Sequence, residues 1–115
     1  MPEYSRLQSL SEIDDLIARS HEKPVLVFKH SLTCPISTAG FRQYETYLAG
    51  QSEDDDTVYA LIEIQKARDV SNEIARRTGV RHESPQALLL RDGKVIWHAS
   101  HGAIRAEALK AAVAG

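Results

Sequence analysis

The chain lacks most of the features that identify a protein class at sight. It has one cysteine, one tryptophan, two phenylalanines and four prolines in 115 residues. A lone cysteine cannot close an internal disulfide, so a disulfide-stapled secreted scaffold is excluded and a reducing cytoplasm is the expected setting. Long apolar runs are missing too: the longest, Val58-Tyr59-Ala60-Leu61-Ile62, falls far short of the ~20 residues a membrane helix needs. The opening Met-Pro-Glu-Tyr-Ser-Arg does not show the charged-then-apolar order of a signal peptide. Charge of one sign is not in excess. With 26% charged residues and a net charge of -2, the surface offers no case for binding nucleic acid or an anionic membrane. No repeat, low-complexity segment or linker divides the chain, and one domain over residues 1–115 is expected.

What is present is an alternation of helical and strand-like segments. Leu10, Ile13, Leu16 and Ile17 recur at helical spacing between Ser9 and Ser20, and Ser9 or Ser11 can cap the start. Val25-Leu26-Val27-Phe28 after Pro24 suits a short strand buried on both faces. Pro35 to Leu48 is helical again, with Pro35 in the first turn, where a missing N–H costs little. Thr57 to Ile64 reads as a strand, and a helix capped by Asp69 or Ser71 ends near Gly79. Gln86 to Leu90 and Lys94 to His98 flank Asp92-Gly93, a strong hairpin signal. Ile104 to Val113 closes the chain as a helix. The order predicts an α/β fold with a central mixed sheet of about four strands flanked by helices, parallel at first and closed by an antiparallel hairpin. It resembles the thioredoxin-like arrangement. The acidic run Glu53-Asp54-Asp55-Asp56 reads as a solvated loop rather than a cation site.

Cys34 is the candidate nucleophile. It sits in Ser31-Leu32-Thr33-Cys34-Pro35-Ile36-Ser37, where a strand passes into a helix. A thiol there faces the positive end of the helix dipole, which favours the reactive thiolate. Pro35 stiffens the first turn, and Thr33 and Ser37 carry hydroxyls able to hydrogen-bond the sulfur. The competing reading is a buried cysteine acting as a small apolar residue. Position 37, where a second thiol would resolve a disulfide, is serine. An adduct on Cys34 must then be cleared by an outside thiol.

Ser84-Pro85 stands before an apolar strand, where thioredoxin-like proteins carry a cis proline; an ordinary trans turn is the alternative. His30 and Lys29 precede Cys34 closely and are candidates for raising the local positive potential or contacting a carboxylate of a small thiol. His30, Ser84 and Pro85 are therefore taken as substrate-binding candidates. Arg81, His82 and Glu83 are placed near the same groove. His98 and His101 do not complete a metal-ligand set by spacing, and no metal is expected.

Thr33-Cys34-Pro35-Ile36-Ser37 resembles the active-site motif of the monothiol bacilliredoxin family, also called the YtxJ or BrxC family. Arg81-His82-Glu83-Ser84-Pro85-Gln86 resembles that family's cis-proline region, and the likeness covers nearly the whole chain. The resemblance implies a thioredoxin-like fold and a monothiol thiol–disulfide oxidoreductase that removes bacillithiol from protein mixed disulfides through Cys34. It implies bacillithiolated proteins as partners, bacillithiol as co-substrate rather than bound cofactor, and bacillithiol or another redoxin as reductant. Two other classes stay open. One is an iron–sulfur cluster or small-thiol binding module, built as in one-thiol glutaredoxin relatives. The other is an adaptor that senses bacillithiolation without turnover.

Overall fold

The computed structural model describes residues 2–52 and 54–115, so the expectation for the acidic run at Glu53 lies outside the described residues. The elements are β1 (Tyr4–Arg6), α1 (Leu10–Arg19), β2 (Val25–His30), α2 (Pro35–Ala49) and β3 (Val58–Glu63), followed by α3 (Arg68–Thr78), β4 (Gln86–Arg91), β5 (Lys94–Ser100), a 3-10 turn (His101–Ala103) and α4 (Ala106–Ala114). The sheet has five strands in the order β1-β3-β2-β4-β5, not four. The extra strand is Tyr-Ser-Arg at the edge, parallel to β3. Its short length and exposed polar residues leave no apolar alternation to read.

β2 lies parallel to β3, as the crossover through α2 requires, and β5 turns back antiparallel to β4 through the Asp92-Gly93 hairpin; β4, which follows α3, runs antiparallel to β2. Side chains alternate across the sheet, so each face builds its own core. Val25, Val27, Ala60, Ile62, Leu88 and Leu90 meet Ile13 and Leu16 of α1 and Val70 and Ile74 of α3. Leu26, Phe28, Tyr59, Leu61, Ala87 and Leu89 meet Tyr44, Tyr47 and Leu48 of α2 and Leu109 of α4. Each fully buried aliphatic side chain contributes about 1.5–3 kcal/mol, so the central strands are the most strongly held part of the fold.

Local chemistry sets the element ends. The Glu12 carboxylate accepts hydrogen bonds from the Gln8 and Ser9 amides at 2.7 and 3.0 Å, fixing the start of α1. α3 begins at Arg68, before the expected caps Asp69 and Ser71. The Ala67 amide already donates to the Glu63 carbonyl at 2.9 Å, so the chain winds up immediately after β3. α4 begins at Ala106 rather than Ile104, because Ile104 is buried in the turn before it. No helix among the described residues is long and apolar enough to cross a membrane.

Candidate active site

The parallel strands β2 and β3 end on the same side of the sheet, and α2 starts there. Cys34 is the N-cap of α2, with extended backbone (φ -103°, ψ 121°) and Pro35 at the first helical position. The cysteine is half-buried. It opens into a groove of about 370 Å³ lined by Leu32, Thr33, Cys34, Pro35, Thr38, Ala39 and Arg42. Leu32, which lines it, and Ile36 on the neighbouring turn are 40% and 54% exposed and add apolar surface beside the sulfur.

Ser37 is fully buried. Its hydroxyl accepts a 2.8 Å hydrogen bond from the Ser31 amide and lies 2.7 Å from His30 Nδ1. Thr33 Oγ1 accepts from Gln65 Nε2 at 3.4 Å. Among the described residues neither hydroxyl is hydrogen-bonded to the Cys34 sulfur, contrary to the expectation from spacing. Their groups are drawn to the turn that carries the cysteine.

His30 also departs from expectation. It is the last residue of β2, 9% exposed, and stacks on Phe41 with ring centroids 4.9 Å apart. Burial lowers its pKa, against the pull of Glu63 and Glu45, so near neutral pH the ring supplies no positive charge and stays out of the open groove. Its parity explains this: His30 shares the α2 face with Leu26 and Phe28, whereas Lys29 points to the opposite face with Val25 and Val27. Lys29 is fully buried, and its Nζ donates to the Ser71 carbonyl at 3.1 Å and to His82 Nδ1 at 3.2 Å. Desolvation brings its pKa down to about 8. His82 is lowered as well, first by desolvation and then by the neighbouring Lys29 and Arg68.

The Ser84–Pro85 peptide bond is cis. Pro85 lies one position past the Lys29–Gln86 pair of the β2–β4 ladder, across from His30. Its ring packs on α2 at Gly40, where an added Cβ would lie 3.3 Å from Pro85 Cγ and 3.4 Å from Phe28 Cζ. Its carbonyl accepts from the His101 amide at 3.1 Å. Ser84 Oγ is buried without a hydrogen-bond partner among the described residues. Arg81 is exposed, and Glu83 accepts a hydrogen bond from the Ser100 hydroxyl. A second groove, of about 210 Å³, runs along α2 between Ile36, Gly40, Gln43, His101, Gly102 and Arg105. His98 and His101 join no cluster of three metal-ligating side chains among the described residues.

Two contributors escaped the sequence reading. Gln65, just past β3, binds the loop before Cys34: its Oε1 accepts from the Leu32 amide at 2.9 Å and its Nε2 donates to Ser31 Oγ at 2.9 Å. The signal was its place at the end of a strand parallel to the one leading to Cys34. Arg42 lies two helical turns beyond Cys34 on the same row of α2, a spacing visible in the sequence once the helix is set.

A cysteine capping the helix after the central strand, beside a cis proline on the neighbouring strand, defines a thioredoxin-fold protein. The solved structures it resembles agree. A protein described as an oxidoreductase with a thioredoxin fold matches at 35% identity and a TM-score of 0.80, over 95% of this chain and 92% of that one. Malassezia sympodialis thioredoxin matches in fold at 15% identity and a TM-score of 0.75, over 99% of this chain and 90% of that one. Fasciola hepatica thioredoxin does so at 13% identity and 0.72, over 96% of each. Residues 5–109 match the family described as monothiol bacilliredoxin BrxC, and the chain belongs to that family.

Proposed function

We propose that the protein is a monothiol thiol–disulfide oxidoreductase that removes bacillithiol from protein mixed disulfides. The observation that carries this reading is the pairing of Cys34, half-exposed at a helix N-terminus, with a buried serine hydroxyl at position 37. Family membership supports bacillithiol as the small thiol. The Cys34 thiolate attacks the bacillithiol sulfur of the mixed disulfide. A bond forms between that sulfur and Cys34 Sγ, the original S–S bond breaks, and the target thiolate leaves with the electron pair. No thiol at position 37 can displace the cargo. A second bacillithiol thiolate, or another redoxin, attacks the bound sulfur and releases Cys34 as thiolate. With bacillithiol as reductant, bacillithiol disulfide is the oxidised product. A lone thiol that must stay reduced suits a reducing compartment such as the cytoplasm.

The test mixes reduced protein with a bacillithiolated target and follows intact masses. One bacillithiol transferred to the wild-type protein, with none transferred to Cys34→Ser, is the expected result. A target that keeps its adduct in the presence of wild-type protein rejects the reading.

A further inference from the structure

The two grooves beside α2 differ in what their arginines do. Arg105, in the groove next to His101, is bonded to Glu107, with Nε 2.7 Å from the carboxylate. Arg42 lines the groove that contains Cys34, and among the described residues no carboxylate oxygen lies within 4.0 Å of its guanidinium. Cys34, Thr38 and Arg42 follow one another at steps of four along the helix, so they share one row. At the ordinary helical rise, Arg42 starts about 12 Å along the axis from Cys34. Helical side chains lean back toward the N-terminus, which carries the guanidinium over the preceding turn. That turn presents only Thr38 and Ala39, so the floor between sulfur and guanidinium is low. A small molecule joined to Cys34 Sγ and lying along this floor meets the arginine at its far end. A planar guanidinium matches a carboxylate through two parallel hydrogen bonds.

We propose that Arg42 is a specificity-determining residue that binds a carboxylate of the small thiol held on Cys34. The site then favours mixed disulfides of anionic thiols over those of neutral or cationic ones. This rests on the exchange chemistry of Cys34 proposed above, and it adds the group that reads the cargo.

The test uses three symmetrical disulfides, those of mercaptosuccinate, 2-mercaptoethanol and cysteamine, which are anionic, neutral and cationic. The rate at which each places its thiol on Cys34 is followed by mass, relative to its rate with free cysteine. Arg42→Gln is compared with wild type and with Arg19→Gln, an exposed arginine on α1 outside the groove. The expected result is that the anionic-to-neutral rate ratio falls about two- to fivefold in Arg42→Gln, the range for an exposed charge pair. The ratio should hold in Arg19→Gln, and the wild-type preference should shrink as salt is raised. An equal ratio in Arg42→Gln and wild type overturns the assignment of Arg42 while leaving Cys34 exchange standing. Absence of reaction with all three disulfides overturns the exchange reading and this one together.

Discussion

Ser37 and His30 hold the reactive turn together from inside: their Oγ and Nδ1 lie 2.7 Å apart, and the same hydroxyl accepts the Ser31 amide. Ser37→Ala leaves both partners without this oxygen in a water-poor site. A loss of about 1–3 kcal/mol of stability is expected, read as a lower urea midpoint at unchanged slope. An unchanged midpoint would mean that water replaces the hydroxyl and that the turn is held elsewhere.

Ser37→Cys tests the chemistry of the same position. It places a second thiol where the adduct on Cys34 can be displaced internally. With a bacillithiolated target, the mixed disulfide on Cys34 should no longer accumulate. An internal disulfide should appear in its place, 2 Da below the mass of the reduced variant. Persistent adduct on the variant would show that the buried position cannot reach the sulfur.

Gly40 is where α2 approaches Pro85. Alanine in place of glycine within a helix gains about 1 kcal/mol from backbone propensity. Here its Cβ would press on the Pro85 ring and on Phe28, both held in the core. Overpacking of this kind costs about 1–3 kcal/mol, so Gly40→Ala should be neutral to destabilising and Gly40→Val clearly worse. Gly50→Ala is the comparison, since its Cβ meets nothing closer than 3.6 Å. A thermal melt in which Gly40→Ala exceeds wild type by several degrees would show that Pro85 gives way.

Much of this arrangement is legible in the chain because the signals are local. Apolar runs flanked by Pro24 and Asp92-Gly93 mark the central strands, and Cys34-Pro35 marks the start of α2. The site is less legible because its contacts cross between elements. Gln65 holds the Cys34 loop from over thirty residues away. His30 does end β2, but it is buried rather than partly exposed. Once a strand is buried on both faces, a histidine in step with Leu26 and Phe28 must go inward, and a lysine in step with Val25 and Val27 must go inward on the other side. β1 escaped because its three residues, Tyr4, Ser5 and Arg6, are mostly exposed and form neither an apolar run nor an alternation.

Tyr59 joins β3 to the loop before it. Its hydroxyl lies 2.8 Å from Tyr47 Oη and donates to the Asp55 carboxylate. Burial alone would raise the Asp55 pKa, but the Tyr59 hydroxyl and the Thr57 amide outweigh it and hold it below the ordinary value. Stability from Asp55 is therefore present near neutral pH and is lost as pH falls through its lowered pKa. Tyr59→Phe should raise the Asp55 pKa in an NMR carboxyl titration and cost about 1–2 kcal/mol. An unmoved titration would mean that the Thr57 amide alone sets it.

Lys29 predicts an alkaline gain in stability. It is buried with its Nζ on the Ser71 carbonyl and His82, and among the described residues no carboxylate lies within 4.0 Å. Its pKa falls from 10.5 in the open chain to about 8 when folded, because burial disfavours the ammonium. Below pH 8 both states are protonated and the folded one carries the whole penalty. Between about 8 and 10.5 the unfolded chain binds more protons, so stability rises with pH, by on the order of 2 kcal/mol after allowance for solvent screening. Near pH 10 and above, Tyr44, Tyr47 and Tyr59 oppose this rise, since burial holds their hydroxyls protonated in the fold. On the acid side His82 acts in the same sense as Lys29. Its lowered pKa makes stability fall as pH drops below about 6.5, when the unfolded histidine takes up a proton first. Lys29→Met removes the buried ammonium. Urea midpoints measured from pH 7 to pH 10 should rise for wild type and stay nearly flat for the variant, and the His82 ring resonances should titrate at higher pH once the neighbouring charge is gone. A variant that keeps the wild-type slope would show that another group titrates in this window and that Lys29 stays charged in the core.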